Sequence, residues 1–368
     1  MKKRLFSLLQ IIITIILLFY LIRKVNIKDA YEIMKQVNIV YYLFSVFLCF
    51  IFLVLSNWRW KILLDARNLK FSFGYLLKVY FASWFFNNIL PTAIGGDIIR
   101  IAYTIQKDSE TGRHRTSPAL AAAFVDRFIG FIGIFFFASL ASGVLFLAKM
   151  GSNRYLLLEL VGFIFLMLVL LAMFSDKVHR IFSQIFSRIK VLRLGERFEH
   201  AYQEIKEYRQ IKDKLVWSFL LSLLVQGTIA MVWWLIGLGI SVKKSILYYF
   251  LYIPAIGVIT MIPISVGGLG IRENSFVYMF HTFVGVAKEK ATAISALFLV
   301  INLMFAFIGG VVFLFMKRQA QTDSGRFSTT CNRIAQNNEK RTADKEKQIF
   351  VIKENKTKEE ENEFFTKT

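Results

Sequence analysis

Most apolar residues in this chain fall in long uncharged blocks. Eight such blocks cover residues 5–22, 37–58, 79–96, 128–148, 160–175, 215–242, 245–271 and 291–316, and a shorter one, 274–287, follows the seventh. A helix crossing the ~30 Å hydrocarbon core needs about 20 mostly apolar residues, and most of these blocks match that length. Within lipid every backbone polar group must be paired inside its own segment, so the blocks predict helices, not strands. The expected fold is an all-α polytopic integral membrane protein of about eight spans with broken or re-entrant helices.

Lysine and arginine between the blocks give an orientation. The segment 175–214 carries ten and the segment 317–368 carries twelve, so both are expected on the cytoplasmic side. Lys2, Lys3 and Arg4 favour a cytoplasmic N-terminus, whereas Arg23, Lys24, Lys28 and Lys35 pull the other way. The first block is long for a signal peptide and ends without a small-residue cleavage site, so it reads as a retained span. Residues 1–316 are then one transmembrane domain, with halves near 1–174 and 215–316 and a cytoplasmic linker at 175–214. In that linker Ile181, Phe182, Ile185, Phe186 and Ile189 share a helical face, which fits an interfacial helix or a solvated one. The tail 317–368 mixes twelve basic with nine acidic residues and has no apolar period, the composition of a disordered segment.

Composition narrows the picture. Of 368 residues 56% are hydrophobic, mean hydropathy is +0.51, and the formal net charge is +21. An ordinary soluble enzyme and a disulfide scaffold are excluded. The basic excess sits at block ends, which suits anionic lipid headgroups and not nucleic acid. Cys49 and Cys331 lie in an apolar block and the charged tail, where neither suggests a bridge.

The most informative pattern is internal. Residues 88–100 align without a gap to residues 260–272. Pro91 and Pro263, Gly95 and Gly267, Gly96 and Gly268, and Arg100 and Arg272 coincide, and the chain has only four prolines. Each copy interrupts an apolar block: proline withdraws a donor, and a glycine pair opens conformations closed to other residues. A helix is expected to begin just after each pair, with its amides and the arginine one turn along offering an anion site. Broken helices at matching positions of two halves point to a transporter-type binding site. Counting blocks from an inside N-terminus puts the first motif near the outer face and the second near the inner face, an inverted repeat around a central cavity.

Two interpretations of the motifs are open. Glycine and proline also serve as plain kinks in membrane helices. Arg100 and Arg272 at membrane depth argue for function, since buried charge there is costly. Asp97 before Arg100, and Glu273 beside Arg272, allow purely structural ion pairs instead. Asp126 and Arg127, just ahead of the fourth block, suit either a substrate contact or a snorkelling pair at the membrane boundary. Gln226, His281 and Asn302 are explained by helix-to-helix hydrogen bonds, and Gly309–Gly310 by close helix packing.

At these residues the chain resembles the lysylphosphatidylglycerol synthase transmembrane-region family. That family includes stand-alone flippase-like membrane proteins and the membrane half of the bacterial multiple peptide resistance factor. The resemblance rests on 88–100, on Asp126-Arg127 and above all on 263–273 (Pro-Ile-Ser-Val-Gly-Gly-Leu-Gly-Ile-Arg-Glu). It implies a prokaryotic cytoplasmic-membrane protein that moves phospholipids or isoprenoid-linked lipids between leaflets. Carried over, the family pattern weights Asn88, Pro91, Gly95, Arg100, Arg127, Gly267, Gly268, Arg272 and Glu273; Gly96, Asp97, Asp126, Pro263 and Gly270 complete the expected substrate-binding set. Asp97 stands where a glutamate is usual, and Gly130 follows Asp126-Arg127 where the family tends to place an aspartate.

Lysyl transfer in full-length relatives belongs to a separate soluble domain, and the 52-residue tail is too short for one. No phosphate-binding loop, HExxH, CxxC or GxSxG motif occurs, and the four histidines have no ligand spacing. The expectation is therefore a lipid-handling protein with no catalytic residues, metal or cofactor. Its expected partners are anionic membrane lipids and a separate lipid-modifying synthase. A membrane-embedded transferase using Asp97, Asp126 or Glu273 as base is the alternative.

Overall fold

The computed structural model describes residues 27–90, 95–109, 116–147, 207–208, 211–262 and 264–316. Among these residues the chain is helical and contains no strand. In order it forms α1 (Ile27–Lys35), α2 (Ile39–Asp65), α3 (Phe73–Ile89), α4 (Gly95–Ser109), α5 (Thr116–Leu147), α6 (Lys212–Gly239), α7 (Ile246–Thr260), a 3-10 turn (Val266–Gly268), α8 (Ile271–Thr282) and α9 (Lys288–Met316). Four of them, α2, α5, α6 and α9, are long and apolar enough to cross a membrane. This is a polytopic membrane protein.

Starts are set by local chemistry. Asn38, Ser72 and Ser245 accept hydrogen bonds from the amides of Val40, Tyr75 and Leu247, capping α2, α3 and α7. The starts also repeat along the chain: Ile39 and Lys212, Phe73 and Ile246, and Thr116 and Lys288 lie 173, 173 and 172 residues apart. Each half therefore runs long helix, short helix, glycine motif, short helix, long helix. The motif match in the sequence is the centre of a repeat of whole helices.

Two blocks are interrupted, as their motifs predict. Block 79–96 is split between the end of α3 and the start of α4, and block 245–271 ends α7 and passes through the glycine turn. In both, the break falls at the Pro–Gly-Gly stretch. Block 274–287 lies partly in α8, and α5 starts twelve residues before the block at 128. Blocks 5–22 and 160–175, most of the linker and the whole tail fall outside the described residues. Of the linker, Glu207 pairs with Arg67, and the Tyr208 hydroxyl donates to the Leu63 carbonyl at 2.8 Å, fastening this stretch to the end of α2.

The core joins the halves. α2 packs along α6, and Trp233 of α6 stacks between Phe276 of α8 and Phe298 of α9 at 4.5 and 4.1 Å between ring centroids. Gly309 of α9 lies so close to α3 that a Cβ there would collide with the Phe81 carbonyl oxygen. The glycine pair Gly309–Gly310 thus serves helix approach, as expected. The compact unit containing both halves extends to Phe313.

Candidate functional site

α4 brings the first motif inward. Its first turn carries Asp97 and the next turn Arg100, both buried. Asp97 Oδ1 accepts from Arg100 at 2.5 Å, and Asp97 Oδ2 accepts from Arg127 Nε of α5 at 2.5 Å. Asp126, also of α5, accepts from Arg59 Nε of α2 on Oδ1 at 2.7 Å and from Arg100 on Oδ2 at 3.4 Å. Three arginines and two aspartates from three helices thus form one network. Arg100 is sandwiched further, its guanidinium 5.0 Å from the Trp60 ring and 4.9 Å from the Tyr80 ring. Arg59 continues to Ser222 of α6 at 3.1 Å, and Ser222 donates to the Ile129 carbonyl.

The second motif closes on itself. Gly267, Gly268 and Gly270 all have positive φ, at 58°, 73° and 80°, so the turn before α8 depends on glycine. Glu273 then reaches back: Oε2 accepts from the Gly270 amide at 2.7 Å, and Oε1 accepts from Arg272 at 2.8 Å. Phe298 of α9 lies 5.1 Å from the Arg272 guanidinium.

Both motifs meet at one place. A Cβ on Gly267 would lie 2.9 Å from the Asn87 carbonyl oxygen and 3.0 Å from Asn88 Cα. Asn87 Oδ1 in turn accepts from the Gly96 amide at 2.8 Å. The expected separation of the motifs onto opposite faces is therefore overturned: the second turn rests on Asn87 and Asn88 at the end of α3, where the first motif begins. Across the contact, Asn302 of α9 donates to Asn88 Oδ1 at 2.5 Å, and Asn88 donates to the Trp84 carbonyl at 2.9 Å.

A cavity of about 340 Å³ opens beside this contact. Arg59, Arg127 and Arg272 are the charged residues on its wall, with Asn87, Asn88, Gln226 and Asn302 among the polar ones and Trp84, Trp233 and Phe298 among the aromatic ones. A second cavity of about 170 Å³ shares Arg59 and Arg127 with it and adds Asp97, Arg100 and Asp126. Volumes of this order suit a headgroup-sized ligand, not a whole lipid.

The expected site residues divide accordingly. Asn88, Arg127, Gly267 and Arg272 reach the larger cavity, whereas Asp97, Arg100 and Asp126 reach only the smaller one. Arg100, at 3% exposure, is an ion-pair hub, while Arg127 keeps 34% of its side chain exposed. Asp126 and Arg127 lie well inside α5 and not at a boundary between segments. Gly95 and Gly96 begin α4 instead of preceding it; Gly268, Gly270 and Glu273 shape the second turn. Pro91 and Pro263 fall outside the described residues. Of the amides at the two helix starts, where an anion site was expected, those of Gly96 and Gly270 are already taken by Asn87 and Glu273. His281 donates locally to the Val286 carbonyl at 3.0 Å and not to another helix, and Gln226 faces the cavity.

Arg59 was not expected. It lies one residue beyond the block at 37–58, where the apolar run stops but α2 continues to Asp65. An arginine continuing an apolar helix, next to Asn57 and two tryptophans, is the signal that would have found it.

Comparison with known proteins agrees with this architecture. The family model described as lysylphosphatidylglycerol synthase TM region matches residues 7–310, both motifs included. A UPF0104 membrane protein of Pyrococcus horikoshii is 26% identical over 343 residues, covering 85% of this chain and 97% of its own length. Another from Methanothermobacter thermautotrophicus is 25% identical over 303 residues, 77% of this chain and 87% of its own. A third, from Archaeoglobus fulgidus, is 24% identical over 276 residues, 69% and 80% respectively. With its motifs joined across one cavity and the family match spanning both halves, this chain belongs to the lysylphosphatidylglycerol synthase transmembrane-region family.

Proposed function

We propose that this protein is a flippase-like membrane protein that takes the headgroup of an anionic phospholipid or isoprenoid-linked lipid into the larger cavity and passes it between leaflets. One observation carries the proposal: two broken-helix motifs from two repeat halves converge on a cavity whose charged wall is arginine. Guanidinium groups hold phosphate oxygens in paired hydrogen bonds, and a water-lined cavity in a helical bundle is where broken helices are tolerated in lipid. The aromatic side chains beside them offer apolar surface for the glycerol or isoprenoid end of the headgroup.

The transferase alternative has less support. A general base needs a carboxylate free to take a proton. Asp97, Asp126 and Glu273 each accept from arginine, and Glu273 from an amide as well. A cytoplasmic-membrane location with the tail inside, and recruitment of a separate synthase, remain part of the proposal.

The test is translocation of labelled phosphatidylglycerol in proteoliposomes. Translocation by the native chain, reduced at least about tenfold in Arg272→Ala and Arg127→Ala, is the expected outcome. Folded protein that moves no labelled anionic lipid would end the flippase reading.

A further inference from the structure

The two packed long helices, α2 and α6, end in the same way. After α2, Arg67 and Leu69 donate to the Leu64 carbonyl and Asn68 donates to that of Asp65, with Asn68 at φ 60°. After α6, Ile240 and Val242 donate to the Gly237 carbonyl and Ser241 donates to that of Leu238, with Ser241 at φ 60°. Each of these residues lies 173 after its counterpart, so one helix-ending turn, closed by a left-handed residue, is used twice.

What fastens each end differs. At the end of α6 the Gly239 carbonyl accepts from the backbone amide of Asn38, the N-cap of α2, at 2.8 Å. Val37 and Tyr41 pack so near that a Cβ on Gly239 would meet them at 3.2 and 3.4 Å. At the end of α2 the Leu63 carbonyl accepts instead from a side chain, the hydroxyl of fully buried Tyr208. Arg67 pairs there with Glu207 and lies 5.7 Å over the Tyr208 ring. Tyr208 leads into α6 as Asn38 leads into α2, since its carbonyl accepts from Ile211, the N-cap of α6, at 3.1 Å. Each long helix is thus held by the segment that enters the other, once through backbone and once through side chains. The backbone bond is undone only by unwinding the start of α2, whereas a hydroxyl bond and an ion pair are undone by side-chain rotation. Glu207 is 57% exposed, so water is at hand to replace its partner.

The side-chain fastening lies close to the cavities. Arg59 stands one turn before Leu63 on α2, holds Asp126 and Ser222, and lines both cavities. Whatever fixes the last turn of α2 against α6 therefore fixes Arg59.

We infer that Tyr208 and the Arg67–Glu207 pair form a latch on the end of α2 that positions Arg59 in the cavity wall, and that the seam between α2 and α6 opens from this end and not from the Asn38 end. Tyr208 is a positioning residue: it acts on the cavity through Leu63 and the helical turn that carries Arg59. The latch governs access to the cavity and is independent of what the cavity carries.

The experiment times the reaction of a cysteine on the cavity wall with a charged thiol reagent, on the full chain in detergent. Gln226→Cys, one turn beyond Ser222 on α6, is introduced together with Cys49→Ser and Cys331→Ser. Tyr208→Phe and Glu207→Arg are each expected to speed labelling about fivefold, the population change that one net hydrogen bond controls. Glu207→Arg combined with Arg67→Glu should bring the rate back to near its native value. Ser245→Ala removes a helix cap of similar worth in the turn after α6 and should leave the rate unchanged. Unchanged labelling in Tyr208→Phe, in protein that melts as the native chain does, would overturn the latch. Equal acceleration in Ser245→Ala would make the effect a general loosening and overturn it as well. Acceleration that the charge swap leaves in place would overturn the part given to the ion pair. Where Glu207→Arg does not fold, Glu207→Gln takes its place, with faster labelling expected and an unchanged rate counting against the pair.

Discussion

The two copies of the broken-helix motif share proline, two glycines and an arginine, yet they do different work. In the first copy the acid lies three residues before the arginine, so one turn of α4 pairs Asp97 with Arg100 and turns both toward α5. In the second the acid lies one residue after, too near to leave its own helix end, and Glu273 folds back onto Gly270 and Arg272. The first copy therefore ties helices together, and the second builds a self-contained helix cap beside an open cavity. Moving one carboxylate by four positions separates a structural arginine from one available to a ligand.

Removing the acid from each copy is the largest expected break in this comparison. Asp97→Ala leaves Arg100, at 3% exposure, and Arg127 short of a partner, and losing one member of a buried ion pair costs about 3–5 kcal/mol. Glu273→Ala frees Arg272 toward the cavity, where water replaces the carboxylate, and orphans the Gly270 amide, for about 1–3 kcal/mol. Thermal unfolding of both variants in the same detergent measures the difference. Equal losses would mean that the second copy is as deeply wired into the bundle as the first.

The aligned glycines sharpen the contrast at a smaller scale. Gly267 has φ 58° and would drive a Cβ against the backbone of Asn87 and Asn88. Gly267→Ala should cost about 2–4 kcal/mol, from left-handed strain and overpacking together. Its counterpart Gly95 opens a helix and would meet Leu90 Cβ and Cδ1, both at 2.7 Å; rotation clears Cδ1, whereas Cβ yields only with a shift of the chain. For Gly95→Ala about 1–2 kcal/mol is expected, since overpacking is offset in part by alanine's helix preference and no left-handed strain adds to it. Comparing the two melting temperatures tests whether the second turn is the rigid contact between halves.

Much of this architecture is legible in the linear sequence, for physical reasons. Lipid permits few spanning structures, so blocks such as 215–242 mark α6 to within a few residues. Proline and glycine pairs mark where blocks 79–96 and 245–271 break. What escapes is whatever depends on partners far along the chain. In the sequence Asp126 reads as a boundary charge because the alanines before it are weak apolar signals, although α5 has already begun at Thr116. Arg59 is hidden by the end of an apolar run. One amide at each helix start, Gly96 and Gly270, is filled by Asn87 and Glu273, and spacing along the sequence does not show which acceptor arrives first.

The smallest effect concerns the bond that spans the halves at the motifs themselves. Asn302 Nδ2 donates to Asn88 Oδ1, and Trp84 Nε1 donates back to the Asn302 carbonyl at 3.4 Å. Hydrogen bonds between membrane helices average about 0.6 kcal/mol and reach about 1.7, so Asn302→Ala should lower stability by about 1 kcal/mol. Its effect on lipid handling should exceed that figure, because Asn88 sits where the Gly267 turn rests on α3 and both asparagines line the cavity. A variant that loses stability and translocation in proportion would reduce the bond to packing. Translocation falling several-fold in a protein that melts nearly as the native one does would instead identify this bond as the hinge through which one repeat half senses the other.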